Sequence, residues 1–372
     1  MSLIISARRS PIIPMNGVFK SLELEEICAP VIKSALADAH VHASEIDCVI
    51  IGNALSAGGN PARLCSLLAG IPESCPAITI DTQCCSGIDA IGLASLKIKS
   101  GEADLVLAGG VESYSRAPLR ARLDKDNNLT AFTQAKFSPW HTNKSDILSQ
   151  IKELSETSKI SLKSQCELAI ESHRRALKIK HHDIVPIKVD GNSVELDQFP
   201  RELELKTCLK INNKKENINP CLIANSADAA AILIIASDKF LKRKNFKSFA
   251  LKINNWHQYG YDSTNPADIP VEFFKKKLLN IKEFDHIEWM ESFAVQFLIN
   301  KQKFGLPEQK TNPYGGMLAF GHPIGASGAI LMTRLFHGIK QSIIPNNSKR
   351  GLALIPAVGG LVSAINTIET TI

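Results

Sequence analysis

The sequence predicts an α/β protein with buried sheets, built from two similar halves. Short apolar runs alternate with helical patterns, as expected of strands covered by helices on both faces. The order helix, strand, glycine-rich loop, helix, apolar strand occurs twice along the chain. A length of 372 residues at 44% hydrophobic content suffices for a large core and more than one domain.

In the first unit a helix spans Leu22–Ala39, with Leu22, Leu24, Ile27, Val31, Ile32 and Leu36 roughly on one face. The strand DCVIIG (47–52) follows, then a Gly/Ala-rich stretch and a short apolar strand at Ile78–Ile80. The segment DTQCCSGIDA (81–90) leads into a helix from Gly87 to about Ser100, and the unit closes on the strand ADLVLAGG (103–110). The second unit has a helix near Val271–Leu279, the stretch FDHIEWMESFA (284–294), a helix from about Gly325 to Ile339 and the strand GLALIPAVGG (351–360). The halves are assigned as 1–118 with 221–248, and 249–372. Residues 119–220 are rich in Lys, Asn and Ser and weakly periodic, apart from a helix at Leu162–Leu177 and the strand DIVPIKV (183–189). They are read as an inserted loop domain or lid, since long insertions often carry function.

Composition excludes several classes. Nine cysteines are scattered without a C-x-x-C pair, so neither a disulfide scaffold nor a structural zinc site is expected. The N-terminal stretch lacks the apolar run of a signal peptide, and the longest clean apolar run, Ala229–Ala236, is too short to cross a bilayer. A cytoplasmic protein with free thiols is expected. The net charge of +6 is spread out, fitting a solvated lysine-rich surface or a basic rim for a phosphate-bearing ligand rather than a nucleic-acid site. No G-x-G-x-x-G follows a first strand, and His181 and His182 lack partners at metal-ligand spacing, so no dinucleotide, metal or bound cofactor is expected.

Cys84 and Cys85 fall at a strand-to-helix turn. A thiol there lies near unpaired N–H groups and the positive end of the helix dipole, which favour thiolate and lower its pKa. A backbone amide of such a turn can also donate to a developing oxyanion. The alternative is two small residues packed under a tight turn. His322, within GGMLAFGHPIGASG (315–328), occupies the corresponding turn of the second half. Two pseudo-symmetric halves would bring these turns together, where His can activate the thiol or polarise a thioester carbonyl.

These motifs together resemble the thiolase family over nearly the whole chain. Cys84-CSG resembles its nucleophile motif C-x-S-G, with Cys85 at a small-residue position. IGNALSAGGNPAR (51–63), GEADLVLAGGVESYSRAP (101–118), ISLKSQCELAIESHRRA (160–176) and GGMLAFGHPIGASGA (315–329) resemble further family segments. The resemblance implies a five-layered α-β-α-β-α fold, an acyl-CoA or CoA ligand, and a homodimer or homotetramer with a place in lipid metabolism. It implies that Cys84 takes an acyl group as a thioester and that His322 assists, with Val358, Met290, Phe293 and Gly321 at the oxyanion or supporting positions. Ser226 corresponds to a residue at the pantetheine arm. Arg174, Arg175, Lys178 and Lys180 either face CoA phosphates or form a solvated helix end.

The departures are specific. The family places an acid/base cysteine where Pro356 stands, and proline cannot move a proton. Val358 replaces a glycine whose N–H serves the oxyanion, so a branched side chain is expected to crowd the approach. Met290 replaces an asparagine that holds a water. The expected function is therefore a thiolase-like acyltransferase, acetyl-CoA acetyltransferase-like, that forms an acyl-cysteine. Its Claisen or thiolysis step is expected to be impaired by about 10²–10⁴-fold. The alternative is a non-catalytic homologue that binds CoA esters or a partner subunit.

Overall fold

The structure, a computed structural model, describes residues 1–56, 58–132, 147–179, 182–211, 219–262, 266–341 and 349–370. The N-terminal half contributes strands β1 (Ser2–Arg9), β2 (Cys48–Gly52), β3 (Ala77–Ile80), β4 (Leu105–Glu112) and β5 (Ala227–Ser237). Their spatial order is β3-β2-β4-β5-β1. The C-terminal half contributes β6 (Ala250–Gly260), β7 (His286–Trp289), β8 (Arg350–Ala357) and β9 (Leu361–Thr370), in the order β7-β8-β9-β6. Apart from the additional edge strand β3 of the first half, the two orders are the same pattern. The β2–β4 and β7–β8 pairs are parallel, and the pairs β4–β5, β5–β1, β8–β9 and β9–β6 are antiparallel. The repeat read from the sequence is thus a repeat of topology. The halves meet where β1 pairs with β6 through Leu3↔Lys252 and Ile4↔Leu251.

Helices fill matching places. Helices α1 (Leu24–Asp38), α2 (Pro61–Leu68) and α3 (Ser86–Ser100) belong to the first half; α4 (Leu162–Leu177) lies in the insert; α5 (Ile269–Lys277), α6 (Ala294–Phe304) and α7 (Ile324–Gln341) belong to the second. Strand alternation sorts them into layers. Val49, Ile51, Leu105, Leu107, Ile232 and Ile234 pack with α1 and α2. The alternate residues Ile50, Val106, Ala108 and Leu233 join α3 and α7, which also meet Leu251, Ala353, Ile355 and Ile365 of the second sheet. The far face of that sheet, with Leu352, Leu354 and Val362, packs against Phe273 of α5 and Phe297 of α6. The result is α-β-α-β-α, five layers with α3 and α7 at the centre.

Boundaries differ from expectation for local reasons. Helix α1 starts at Leu24, not Leu22, because Glu23 and Glu26 form a reciprocal capping box. β7 stops at Trp289, and the run to Ala294 becomes the approach to α6. β8 ends at Ala357, where Val358, Gly359 and Gly360 make the turn into β9. Only Ile187–Val189 of the expected 183–189 strand is extended in a ladder.

The insert leaves β4 and returns at β5. Its α4 packs with Cys208, Cys221 and Leu222. It is anchored to the first half by Arg9, a fully buried guanidinium paired with Asp183 at 2.5 Å and Asp197 at 2.7 Å. All nine cysteines are buried and free. Among the described residues, no helix is long and apolar enough to cross a membrane.

Candidate active site

Cys84 lies on a single 3-10 turn, Gln83–Cys85, that runs directly into α3. Gln83 has φ +56°, a left-handed conformation that is unfavourable for a residue with a side chain. Its N–H is held by Asp81 Oδ1 at 2.8 Å. Thr82 N–H donates to Ser86 Oγ at 2.9 Å, and Ser86 Oγ donates to the Gln83 carbonyl at 2.6 Å. The turn is thus fixed by its own side chains.

His322 lies just before α7. Its N–H donates to the Asn225 carbonyl at 2.6 Å, and its backbone bridges to Ser226. Gly321 has φ +87°, and a Cβ there would sit 2.6 Å from the Phe199 ring and 2.9 Å from the Asn225 oxygen, so glycine is required. The turns meet as the pseudo-symmetry implied: Cys84 Sγ is 3.1 Å from His322 Nε2. His322 Nδ1 is 2.7 Å from Ser327 Oγ, which fixes the ring plane and leaves Nε2 facing sulfur.

Glycines set this spacing where α3 and α7 touch. A Cβ on Gly87 would lie 2.7 Å from Ala329 N, and one on Gly328 would lie 2.5 Å from Ile88 N. Behind them, Glu112 at the end of β4 accepts two N–H bonds on each oxygen. Asn53 Nδ2 (2.8 Å) and Leu55 N (3.2 Å) bind Oε1, while Ala54 N (2.9 Å) and Gly325 N (3.0 Å) bind Oε2. This buried carboxylate ties the β2 loop to the first turn of α7, and burial pushes its pKa up to about 7.

The electrostatics reverse one expectation. The helix N-terminus was expected to lower the thiol pKa. Burial instead pushes Cys84 up to about 12, outweighing the downward pull of the Val358 N–H and its own N–H. Burial likewise holds His322 down to about 4. The resting pair is a neutral thiol beside a neutral imidazole.

The other sequence-derived positions fall around this couple. Val358 presents its N–H to the Cys84 sulfur, so the backbone donor is kept at the substituted position. Met290 is buried in the central cluster that also holds both cysteines, with an apolar side chain. Phe293 is the N-cap residue of α6 and packs with Ile151 and Ile160 of the insert. Pro356 lies in β8 beyond Leu354, the last residue paired with β7, where a missing N–H breaks no bond to that strand. Cys85 points elsewhere, its thiol donating to the Ile355 carbonyl at 3.4 Å. In the insert, Arg174 is paired with Glu171, and Arg175 with Glu171 and Glu308, so both cations are already engaged. Lys180 and His181 lie outside the described residues.

Sequence reasoning missed Asp89. In the first turn of α3 it accepts from Thr82 Oγ1 (2.6 Å), Trp256 Nε1 (3.0 Å), Gln258 Nε2 (2.7 Å) and Ser363 Oγ (2.5 Å). It binds the cysteine turn to β6 and β9. It missed Tyr114 as well. That half-buried ring, two residues beyond β4, packs against the central cluster and faces the Ser226 hydroxyl, and burial raises its pKa.

Fold and site together define a class: two matching α/β halves with a cysteine and a histidine on the turns that meet at their junction. Comparison with known proteins gives the family. The “Thiolase, N-terminal domain” family matches residues 2–238, and “Thiolase, C-terminal domain” matches 250–369. Proteins named “Probable acetyl-CoA acyltransferase” from Staphylococcus aureus strains COL and N315 are each 30% identical over 367 residues, covering 92% of this chain and 93% of theirs. A crystal structure of the Bacillus anthracis acetyl-CoA acetyltransferase superposes with a TM-score of 0.88 at 26% identity, covering 99% of this chain and 98% of that one. The chain belongs to the thiolase family.

Proposed function

We propose that this protein is an acyltransferase that takes an acyl group from acyl-CoA onto Cys84 as a thioester. The observation that carries the reading is the 3.1 Å contact between Cys84 Sγ and His322 Nε2, with the Ser327 hydroxyl orienting the ring. His322 Nε2 accepts the thiol proton as sulfur attacks, and the Val358 N–H stabilises charge at the sulfur. The names of the relatives agree with an acyl-CoA substrate. The second half-reaction, carbon–carbon bond formation or thiolysis, is slow, because Pro356 carries no proton and Met290 offers no polar atom to a water. The division into 1–118 with 221–248, 119–220 and 249–372 fits this reading, with the insert as the lid over the substrate. A homodimer or homotetramer in the cytoplasm is the proposed assembly.

Pro356 and Met290 also favour a second reading, a non-catalytic CoA-ester-binding or partner-binding subunit. Intact mass after incubation with acetyl-CoA and longer acyl-CoAs separates the two. An adduct lost in Cys84→Ala and kept in Cys85→Ala supports acyl transfer. Absence of an adduct at every chain length overturns it and leaves the binding reading.

A further inference from the structure

Asp89 is a buried carboxylate whose four hydrogen-bond donors are all neutral. It is 1% exposed and lies in the first turn of α3, where the positive end of the helix favours a carboxylate. Oδ2 accepts from Thr82 Oγ1 at 2.6 Å and Gln258 Nε2 at 2.7 Å, while Oδ1 accepts from Ser363 Oγ at 2.5 Å and Trp256 Nε1 at 3.0 Å. One donor belongs to the cysteine turn and three belong to the second sheet. Gly92, three residues on and on the same helix face, makes room for this. A Cβ there would lie 2.2 Å from the Trp256 ring, so glycine lets the indole lie against α3 and reach the carboxylate. A carboxylate has lone pairs for four donors, whereas the single oxygen of an amide has two.

The second sheet offers a firm base for this anchor. Gln258 on β6 is in register with Ser363 on β9, and Ser363 is in register with Ile355 on β8. The Ile355 carbonyl also accepts the Cys85 thiol at 3.4 Å. The start of α3 is thus fastened to one row of that sheet at two points, Asp89 and Cys85. Between Thr82 and Cys84 stands Gln83 at φ +56°. A left-handed residue with a side chain persists only where its flanks are held. On the C-terminal side, Cys85 and α3 hold it. On the N-terminal side, the Thr82 N–H goes to Ser86 Oγ at 2.9 Å, within the turn itself. The Thr82 hydroxyl ties this flank across to the second half, through Asp89.

Resting on the acyl-transfer reading, we propose that Asp89 is a positioning residue for acylation: through the Thr82 hydroxyl, its carboxylate holds the cysteine turn in the left-handed form that sets Cys84 Sγ 3.1 Å from His322 Nε2. Asp89 acts through the turn and takes no part in making or breaking bonds. Without the Thr82–Asp89 bond, Gln83 is free to relax to a negative φ, and the sulfur one residue on swings away from the imidazole. A displacement near 1 Å slows a catalytic step by about 100-fold. The glycine contacts with α7 hold the helix bodies, and Asp89 holds the turn that precedes them.

The test is Thr82→Val, which deletes the hydroxyl and keeps the branched shape. Thr82→Ser keeps the hydroxyl and deletes the methyl, and Asp89→Asn leaves one acceptor oxygen. Cys84 acylation is followed against acetyl-CoA concentration by rapid quench and intact mass, and the urea midpoint of each preparation identifies any variant that does not fold. The limiting acylation rate should fall by about 100-fold in Thr82→Val, at an unchanged half-saturating concentration, and at least as far in Asp89→Asn. Thr82→Ser should return it to the wild-type rate. If Asp89→Asn does not fold, the two Thr82 variants decide. An unchanged limiting rate in Thr82→Val overturns the role of Asp89 and leaves acyl transfer standing. A loss that Thr82→Ser fails to restore also overturns it, assigning the effect to packing of the methyl group. If wild type itself forms no adduct, the acyl-transfer reading falls and the role of Asp89 falls with it.

Discussion

Replacing Gly328 by alanine adds one methyl group on α7, one residue after Ser327, at the crossing with α3. The added Cβ would stand 2.5 Å from Ile88 N and 2.9 Å from Ile88 Cβ. The nearest of these is helix backbone, not the end of a flexible side chain. Ordinary contact begins near 3.4 Å, so the helices have to part by about 0.9 Å. Carried to the turns, this stretches the 3.1 Å sulfur–imidazole contact to about 4 Å, the limit for a sulfur hydrogen bond. Overpacking of this kind costs about 1–3 kcal/mol of stability. A misplacement near 1 Å costs a catalytic step about 100-fold. Gly328→Ala should therefore lower the urea midpoint and slow Cys84 acylation by about two orders of magnitude. Both are measured on one preparation, by chemical denaturation and by quenched intact mass. A variant that keeps the wild-type midpoint and acylation rate refutes the idea that glycine contact at this crossing sets the couple.

Pro356→Cys restores an ionisable group beside the cysteine turn. Cleavage of acetoacetyl-CoA by CoA should rise by about 10²–10⁴-fold over wild type, and an unchanged rate shows that position 356 does not limit the second step. Because burial pushes Cys84 up to about 12, its iodoacetamide labelling should climb about tenfold per pH unit from pH 7 to 10, and a plateau below pH 8 contradicts the dominance of burial. Burial holds His173 and His322 down to about 4, below the unfolded value near 6.5. The unfolded chain then binds more protons between these values, so their contribution to stability is present above pH 6.5 and is lost as pH falls towards 4. Glu112, raised to about 7, acts in the opposite sense, its contribution falling as pH rises from the ordinary carboxylate range to 7. Denaturation curves from pH 4 to 7 should show a shallower acid decline in His173→Gln than in wild type; an identical decline refutes the assignment.

Much of this architecture was legible because burial writes period into sequence. The apolar strands, the two central helices and the paired turns carrying Cys84 and His322 are local patterns that survive in one dimension. What stayed hidden depends on partners distant in the chain. Asp89 reads as one acidic residue in a helix until Trp256, Gln258 and Ser363 converge on it. Glu112 reads as a strand end until four N–H groups reach it from two halves. The sign of the Cys84 shift failed for the same reason. The helix end is visible in sequence, but the depth of burial that overrides it belongs to the assembled core.

The glycine contacts between α3 and α7 have a consequence for how chemistry is gained and lost on this scaffold. The separation of thiol and imidazole is held by main chain against main chain, so it does not depend on what stands at positions 290 and 356. Those positions can change while Cys84 keeps its address. On the proposed acyl-transfer reading, an acyl acceptor can be exchanged, or abandoned, without dismantling the place where the acyl group first lands. In such a chain the persistence of the couple records the packing of two helices, and the identity of the acceptor is recorded in the walls around it.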